Sequence, residues 1–506
     1  MGGRASGVRL GGRAALDRLC DGLGAGGVGG WAARAGGVRA VAVELNLGGR
    51  LPVAWYRLFG SGNGATAAAP GPVEQSLALA AQAAEVEHAA AIARRWRAYH
   101  GQHPKPLRIR PGQLDDNVVV NYARVVVDKG VSFLFGADLR FELDEVSDTE
   151  AEAWLNACWR ANRKRTLLQK LALNGAVAGH AFLKIVPVQG QPYPRLVVLD
   201  PALVTVTVAP DDHEFVLRYK IQYTAPDPRT GRPVTYRQII EREGQTWQIT
   251  DQRSVADSTA WQTVSQSTWP YTWPPIVDCQ NLPCPNEYWG LSDLEDDLLQ
   301  LNAAINFVLS NLNRIIRYHA HPKTWGRGFS ANQLSFAVDE TIVLPSPDAS
   351  LQNLEMHSDL GSSVQLYQRL REALHEVSRV PEVATGKLEN AGSLSGVALK
   401  ILYQPLIEKT ETKRCTYGDL LVELNRRLLA LGGYGEENRT VLHWPALLPG
   451  DPESEAKTLL LWSQLGVSQD TLLQRLGLDP DLERQKREGT AAQLGDQMLA
   501  AFEKGL

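Results

Sequence analysis

Cysteine is scarce in this 506-residue chain, with five residues, Cys20, Cys158, Cys279, Cys284 and Cys415, scattered and odd in number. That argues against a disulfide framework and suits a reducing compartment. Cys279 and Cys284 enclose a loop-like QNLP and have no matching second pair, so they do not spell a zinc site. No uninterrupted apolar run is long enough to cross a bilayer. The valine-rich stretch at 117–135 is broken by Asn121, Arg124, Asp128 and Lys129, and no membrane partner is expected. A signal-peptide pattern is also missing, because arginine and glycine recur where a continuous hydrophobic region should stand. Nor is there an excess of one charge. With 52 basic residues against 56 acidic ones, the chain lacks what tight phosphate binding needs, which speaks against sequence-specific DNA binding.

Catalytic patterns are absent as well. No G-x-x-x-x-G-K-[ST] loop occurs, since Gly386 and Lys387 are followed by Leu388 and Pro381 stands where the first glycine belongs. GSLSG is not a nucleophile elbow, because its central residue is Leu394. The G-x-G-x-x-G match at Gly22, Gly24 and Gly27 has no strand before it and no βαβ context. His319 and His321 straddle a predicted helix end, where they serve as caps rather than metal ligands. No catalytic residues, metal or cofactor are expected, and any ATP hydrolysis belongs to a partner.

What the chain does contain is an ordered series between Gly290 and Gly432. Ser292 with Glu295 reads as a capping box, and Asp293, Asp296 and Asp297 suit the positive end of a helix dipole. From there Leu294, Leu298, Leu301, Ile305, Val308, Leu312 and Ile315 form a heptad stripe that asks for a neighbouring helix along its length. Arg314 and Arg317 close that helix and Pro322 stops it. Residues 323–356 change to a two-residue rhythm, with Thr341–Leu344 as a strand. Leu360, Tyr367, Leu370, Leu374 and Val377 return to helical spacing until Pro381. GKLENAGSLSG, residues 386–396, predicts an exposed mobile loop. A last helix runs from about Val397 to Leu431, ended by Gly432 and Gly433. Pro405 inside it predicts a kink near Ile401 and Leu402.

Upstream, helical patterns occupy 74–99, 115–134 and 149–174. Strands are predicted at Ala181–Val188, Leu196–Leu199, Leu203–Val208, Phe215–Tyr223, Thr235–Glu241 and Trp247–Thr250. Trp261, Trp269, Trp273 and Trp289 anchor the sheet or a subunit interface, or else form a ligand platform. The first seventy residues, rich in Gly, Ala and Arg, show no sustained period, and ATAAAPGP reads as a linker. They are expected to be disordered or ordered only in an assembly.

Four stretches occur in an order that resembles the portal proteins of tailed bacteriophages, in particular the SPP1-like branch. They are WRAYHGQHP (96–104), NVVVNYARVVVDKGVSFLFG (117–136), IVDCQNLPCPNEYWGLSDLEDDLLQLNAAIN (276–306) and GSLSGVALK (392–400). The resemblance extends from about residue 74 to the C-terminus. It implies an α+β portal-type subunit with a mixed α/β wing, a long helical stem, a small strand-rich clip and a helical crown, assembled as a cyclic ring.

Its implied boundaries are a Gly/Ala/Arg-rich tail at 1–73, a wing at 74–290, a first stem helix at 291–317 and a clip at 318–358. A second stem helix follows at 359–380, a tunnel loop at 381–396, a long kinked wing helix at 397–432 and a crown at 433–506. The stem would pack through Leu294, Leu298, Leu301, Ile305, Val308 and Leu312. Lys323, Trp325 and Arg327 would form the clip's docking surface. Lys387, Glu389, Asn390 and Ser393 would face DNA, although Lys387 fits a solvated loop residue equally well. In the crown, Leu459, Leu460, Leu461 and Trp462 would point into the capsid.

The implied partners are the chain itself, in a ring of about twelve copies, double-stranded DNA without sequence specificity, the terminase large subunit, a head–tail adaptor, and the major capsid and scaffolding proteins. The implied location is the capsid vertex of the virion, and the host cytoplasm during assembly. A monomeric nucleic-acid-binding protein, another head-assembly protein and an enzyme with an unfamiliar site are the competing classes.

Overall fold

The computed structural model describes residues 72–112, 114–143, 149–255, 260–320, 324–328, 347–353, 360–385, 396–448, 452–475, 483, 484 and 486. The glycine-rich tail, Lys323, the expected strand Thr341–Leu344 and the loop residues Lys387, Glu389, Asn390 and Ser393 lie outside that set. The chain divides into two units, residues 1–79 and 80–506, and apart from the first turns of helix α1 everything below lies in the second.

Helix α1 (Pro72–Tyr99) opens on a proline, whose missing N–H costs nothing in a first turn. Helix α2 (Tyr122–Phe135) is capped by Asn121, whose side-chain oxygen accepts the Arg124 N–H at 3.1 Å. After strand β1 (Arg140–Leu143) come helices α3 (Thr149–Ala161) and α4 (Lys164–Ala178). Strands β2 (His180–Val186) and β3 (Arg195–Leu199) follow, then β4 (Val204–Val208), β5 (Val216–Pro226), β6 (Pro233–Glu243), β7 (Thr246–Val255), β8 (Gln262–Trp269) and β9 (Ile276–Gln280). Helix α5 (Asp296–Ala320), strands β10 (Thr324–Arg327) and β11 (Ser350–Asn353), and helix α6 (Leu360–Ser378) lead to α7 (Gly396–Gly432), a 37-residue helix with Pro405 inside it. Strand β12 (Thr440–His443) and helices α8 (Pro452–Gln464) and α9 (Gln469–Arg475) end the described chain apart from isolated residues. The fold is mixed α+β.

Strands β4 to β8 form an antiparallel meander in sequence order, and a three-stranded sheet has the order β3-β2-β9. Short turns suffice for the meander, because consecutive antiparallel neighbours need no crossover. Strands β1 and β12 pair with each other, as do β10 and β11. Two apolar cores result. One gathers Trp159, Trp247, Trp269 and Trp273 around the C-terminal half of α7, where Tyr417, Leu421, Leu424 and Leu428 are fully buried. The other joins Leu294, Leu298 and Ile305 to Val126 and Val127 of α2, Leu374 of α6 and Leu406 of α7.

Several expectations need correction. The helix predicted at 115–134 begins at Tyr122, because residues 116–120 are held extended by side chains of α5. Asn302 Nδ2 donates to the Val120 carbonyl at 2.8 Å, and Asn306 Oδ1 accepts the Val120 N–H at 2.8 Å. Ser310 both accepts the Val118 N–H at 2.9 Å and donates to its carbonyl at 3.1 Å. Asn313 donates to the Asp116 carbonyl at 2.8 Å. Backbone groups that a helix would have satisfied internally are thus satisfied by a polar stripe on another helix.

The single helix expected at 149–174 is two, broken at Asn162 and at Arg163, whose φ is 53°. The Asn162 amide is occupied outside the helix, donating to Pro194 O at 2.9 Å and accepting from Leu196 N at 2.8 Å. The region from 433 onward is not wholly helical, since Thr440–His443 pairs antiparallel with β1. A buried network explains the pairing: Trp159 Nε1 donates to Asn425 Oδ1 at 2.8 Å, and Asn425 Nδ2 donates to Thr440 Oγ1 at 3.1 Å.

Replacing Asn306 by Ala leaves the Val120 N–H without its acceptor, a loss worth about 1–3 kcal/mol. A urea titration of Asn306→Ala should show a lower midpoint, and an unchanged midpoint would deny the stripe its role.

Candidate functional site

The α5–α6 hairpin and the chain around its base are held by specific polar contacts among the described residues. Along α5, Leu298, Ile305 and Leu312 are buried, as is Leu294 just before it, while Leu301 and Val308 are half-buried. Leu294, Leu298, Leu301 and Ile305 share a core with Tyr367, Leu370 and Leu374 of α6. The helix starts later than the capping-box reading requires. Its first residue is Asp296, and residues 291–295 form a non-helical link. Half of the box survives, since the Ser292 N–H donates to Glu295 Oε1 at 2.8 Å. The Ser292 hydroxyl instead donates to the carbonyls of Ala176 and Val177 at 2.9 and 2.8 Å.

That detour puts Asp293 in the interior rather than on a helix dipole. Its carboxylate has no solvent exposure, with Lys413 Nζ 2.6 Å from Oδ2 and Lys409 Nζ 3.1 Å from Oδ1. Lys409 also donates at 3.0 Å to the carbonyl of Ser378, the last residue of α6, where the helix dipole favours a cation. Asn281 donates to Leu291 O at 3.1 Å and accepts from the Tyr417 hydroxyl at 3.3 Å, bringing the exit of β9 into the same knot. Burial pushes the Asp293 carboxyl up, but the two ammonium groups outweigh it and hold it at about 2. Burial brings Lys413 down to about 8 against the pull of Asp293. Removing one partner from such a cluster costs about 3–5 kcal/mol, because a charge is left alone in the core.

Close backbone approach makes this crossing possible. Gly179, at φ 91°, faces the carbonyl of Gly290, where an added Cβ would collide with backbone. The i, i+4 spacing of Lys409 and Lys413 between Leu406 and Tyr417, inside an apolar stripe, was a readable sign of a buried carboxylate partner. The four-residue spacing of Asn302, Asn306 and Ser310 was another.

A second buried network docks α1. Asp278 accepts from the Tyr219 and Tyr288 hydroxyls, each at 2.6 Å, and lies 3.0 Å from His180 Nε2. Trp289 packs against both His180 and His88 of α1, with ring centroids 5.3 and 4.2 Å away. Further along α1, Arg95 donates to both Glu295 oxygens at 3.0 and 2.9 Å, and Arg94 pairs with Asp296. The tryptophans expected to form one group are therefore divided. Trp269 and Trp273 sit together in the core, their centroids 5.5 Å apart, and Trp261 stacks on Arg237 at 3.8 Å.

Of the docking residues expected between the hairpin helices, Trp325 is 48% exposed and Arg327 is exposed, both on β10. Pro405 marks a change along α7: Ile401 and Leu402 before it are exposed, and Leu406, Lys409 and Thr410 after it are buried. Among the described residues no cluster of three His, Cys, Asp or Glu is placed to hold a metal, and no helix is long and apolar enough to cross a membrane.

Residues 85–493 match the family described as "Phage portal protein, SPP1 Gp6-like", which makes the class that of phage portal proteins. The chain belongs to the SPP1 Gp6-like portal family. It is similar to a chain in the structure "Virion of native gene transfer agent (GTA) particle", at 14% identity over 77% of this chain and 94% of that one, with a TM-score of 0.45. A chain in "Neck of empty GTA particle computed with C6 symmetry" is 15% identical over 71% of this chain and 91% of that one, with a TM-score of 0.43. No curated protein matches the sequence.

Burial, with Arg95 and His180 nearby, lowers His88 from 6.5 to about 4. Its folded value lies below the unfolded one, so its stabilisation is complete above pH 6.5 and is lost as pH falls toward 4. Protection factors of residues 83–99, measured against the intrinsic exchange rate at each pH, should fall as pH drops across that window in the wild-type chain and less so in His88→Phe. An equal fall in both would place the sensitivity elsewhere.

Proposed function

We propose that the protein closes into a ring of about twelve copies at one capsid vertex, forming the conduit through which the terminase motor packages the genome and through which it later leaves. Membership of the portal family over residues 85–493 carries this reading. Residues 291–317 and 359–380 are the stem, 318–358 the clip and 381–396 the tunnel loop. The wing comprises 74–290 with the kinked helix 397–432, and 433–506 is the crown. Lys323, Trp325 and Arg327 offer the clip's docking surface to the terminase and then to a head–tail adaptor. Lys387, Glu389, Asn390 and Ser393 border the duplex. Capsid and scaffolding proteins meet the ring during assembly in the host cytoplasm, and the chain itself performs no chemistry.

Exposed apolar side chains on the hairpin support subunit contacts there. Phe307 and Ile316 of α5 and Leu366 of α6 are 50, 53 and 51% exposed, apolar area that a neighbouring subunit would cover in a ring. A near-neutral chain also suits a conduit, where DNA must slide rather than bind tightly.

Negative-stain electron microscopy with light scattering on the purified chain tests the ring. Rings with a central hole of about 20 Å or more, wide enough for duplex DNA, are expected. Monomers that stay monomeric with capsid and scaffolding protein added would overturn the reading. Deleting residues 386–395 should leave rings intact and impair packaging or DNA retention, and normal packaging would remove the loop from the DNA path.

A further inference from the structure

We infer that the far end of the five-stranded sheet, where β5 turns into β6 and β7 approaches β8, is a nucleic-acid-binding surface in its own right. Its basis is a set of arginines that form no ion pair among the described residues, on a hydrogen-bonded turn and the strands that flank it, beside a stacked tyrosine pair of which Tyr223 is exposed.

The turn is built by Asp227. The Asp227 N–H donates to Arg232 O at 2.8 Å, and Gly231, at φ 66°, returns its N–H to Asp227 O at 2.9 Å. Asp227 Oδ1 accepts the N–H groups of Arg229 and Thr230 at 2.8 and 2.9 Å. The carboxylate nearest the arginines is therefore engaged with backbone, while Arg229 and Arg232 stand exposed on a turn that holds its shape.

The strands bring two more guanidinium groups to the same end, Arg253 on the face of Tyr223 and Tyr236 and Arg237 on the opposite face, against Trp261. In register across the sheet, Tyr223 faces Tyr236, and Tyr236 faces Arg253. The tyrosine rings stack at 5.5 Å and 24°, with Tyr223 46% exposed. Arg253 Nε donates to Gln262 Oε1 at 3.0 Å, and Arg237 donates twice to Gln252 Oε1, at 2.9 and 2.5 Å. Their partners are neutral amides. No ion pair among the described residues involves Arg229, Arg232, Arg237 or Arg253.

Guanidinium groups held by neutral partners keep their full charge for an incoming anion, and their planar fork fits phosphate oxygens. Arginines alone would serve an acidic polypeptide as well. A stacked tyrosine pair beside them, one ring open to solvent, adds a platform for a base, which is the arrangement of single-strand binders. The overall balance of 52 basic and 56 acidic residues does not oppose this, because the field at a surface depends on local charge within about one Debye length, roughly 8–10 Å.

The test is fluorescence anisotropy with a labelled 20-nucleotide single strand and the matching duplex, titrated against the full chain over a salt series. Arg229→Gln/Arg232→Gln should weaken both and reduce the slope of log affinity against log salt by about 1.4 for the single strand and about 1.8 for the duplex. Tyr223→Ala should weaken the single strand by about fivefold or more and the duplex little. Unchanged binding in the arginine and tyrosine variants would overturn the assignment. So would displacement by polyglutamate as readily as by unlabelled oligonucleotide, which would make this an acidic-peptide surface. Circular dichroism of each variant checks folding, and light scattering on the same samples reports ring assembly, so failure of the ring and failure of this surface are read separately.

Discussion

A buried carboxylate shared by two ammonium groups constrains where the link 291–295, the exit of β9, the end of α6 and the body of α7 can lie. Moving any of them leaves a charge or a polar group in the core without its partner. Asp293 accepts from Lys409 and Lys413, Lys409 reaches the last carbonyl of α6, and Asn281 ties the link to Tyr417. An apolar contact would tolerate a helix sliding past its neighbour by part of a turn. Two lysines one turn apart on one carboxylate do not. The hairpin and the long helix are thus fixed in register by electrostatics, while Leu298, Ile305, Leu374 and Leu406 supply the bulk of the apolar burial around them.

This arrangement explains why α7 is two regions in one helix. From Leu406 onward its side chains enter the core and the ion cluster, whereas Ile401 and Leu402 remain in solvent. Pro405, which removes a backbone hydrogen bond, stands at the border. On the exposed side Tyr403 stacks on Phe133 at 5.8 Å and donates to Val383 O at 3.4 Å.

Much of the fold was legible because its elements follow their own local chemistry. The stripe from Leu294 to Leu312 and the stop at Gly432 marked α5 and α7. Short runs rich in Val, Thr, Ile and aromatic residues between Leu203 and Thr250 marked β4 to β7. Where the reading went astray, the deciding partner was distant in sequence. Residues 116–120 are extended because of side chains about 190 positions away, and Asn162 breaks a helix by binding the β3 hairpin. Strand β8, almost wholly exposed and lacking an apolar alternation, gave no periodic signal. Asp293 looked like a dipole carboxylate, because only the fold reveals that the chain turns inward before the helix begins. The arginines at the sheet end were invisible to a whole-chain charge balance, since register rather than sequence brings them together.

The polar stripe of α5 meets an extended segment whose repeat does not match its own. Four helical residues advance about 6.0 Å and two extended residues about 6.6 Å, close enough for side chains of different reach to absorb the difference. Asn306 and Ser310 keep pace with Val120 and Val118. By Asp116 the helix answers from Asn313, three residues on rather than four, while Arg314 takes the Asp116 carboxylate at 2.7 and 2.8 Å. The stripe therefore acts like a ruler laid against the strand-like segment. It measures out a fixed length of straight chain between the end of α5 and the start of α2, and an insertion of even one residue there would put every rung out of step.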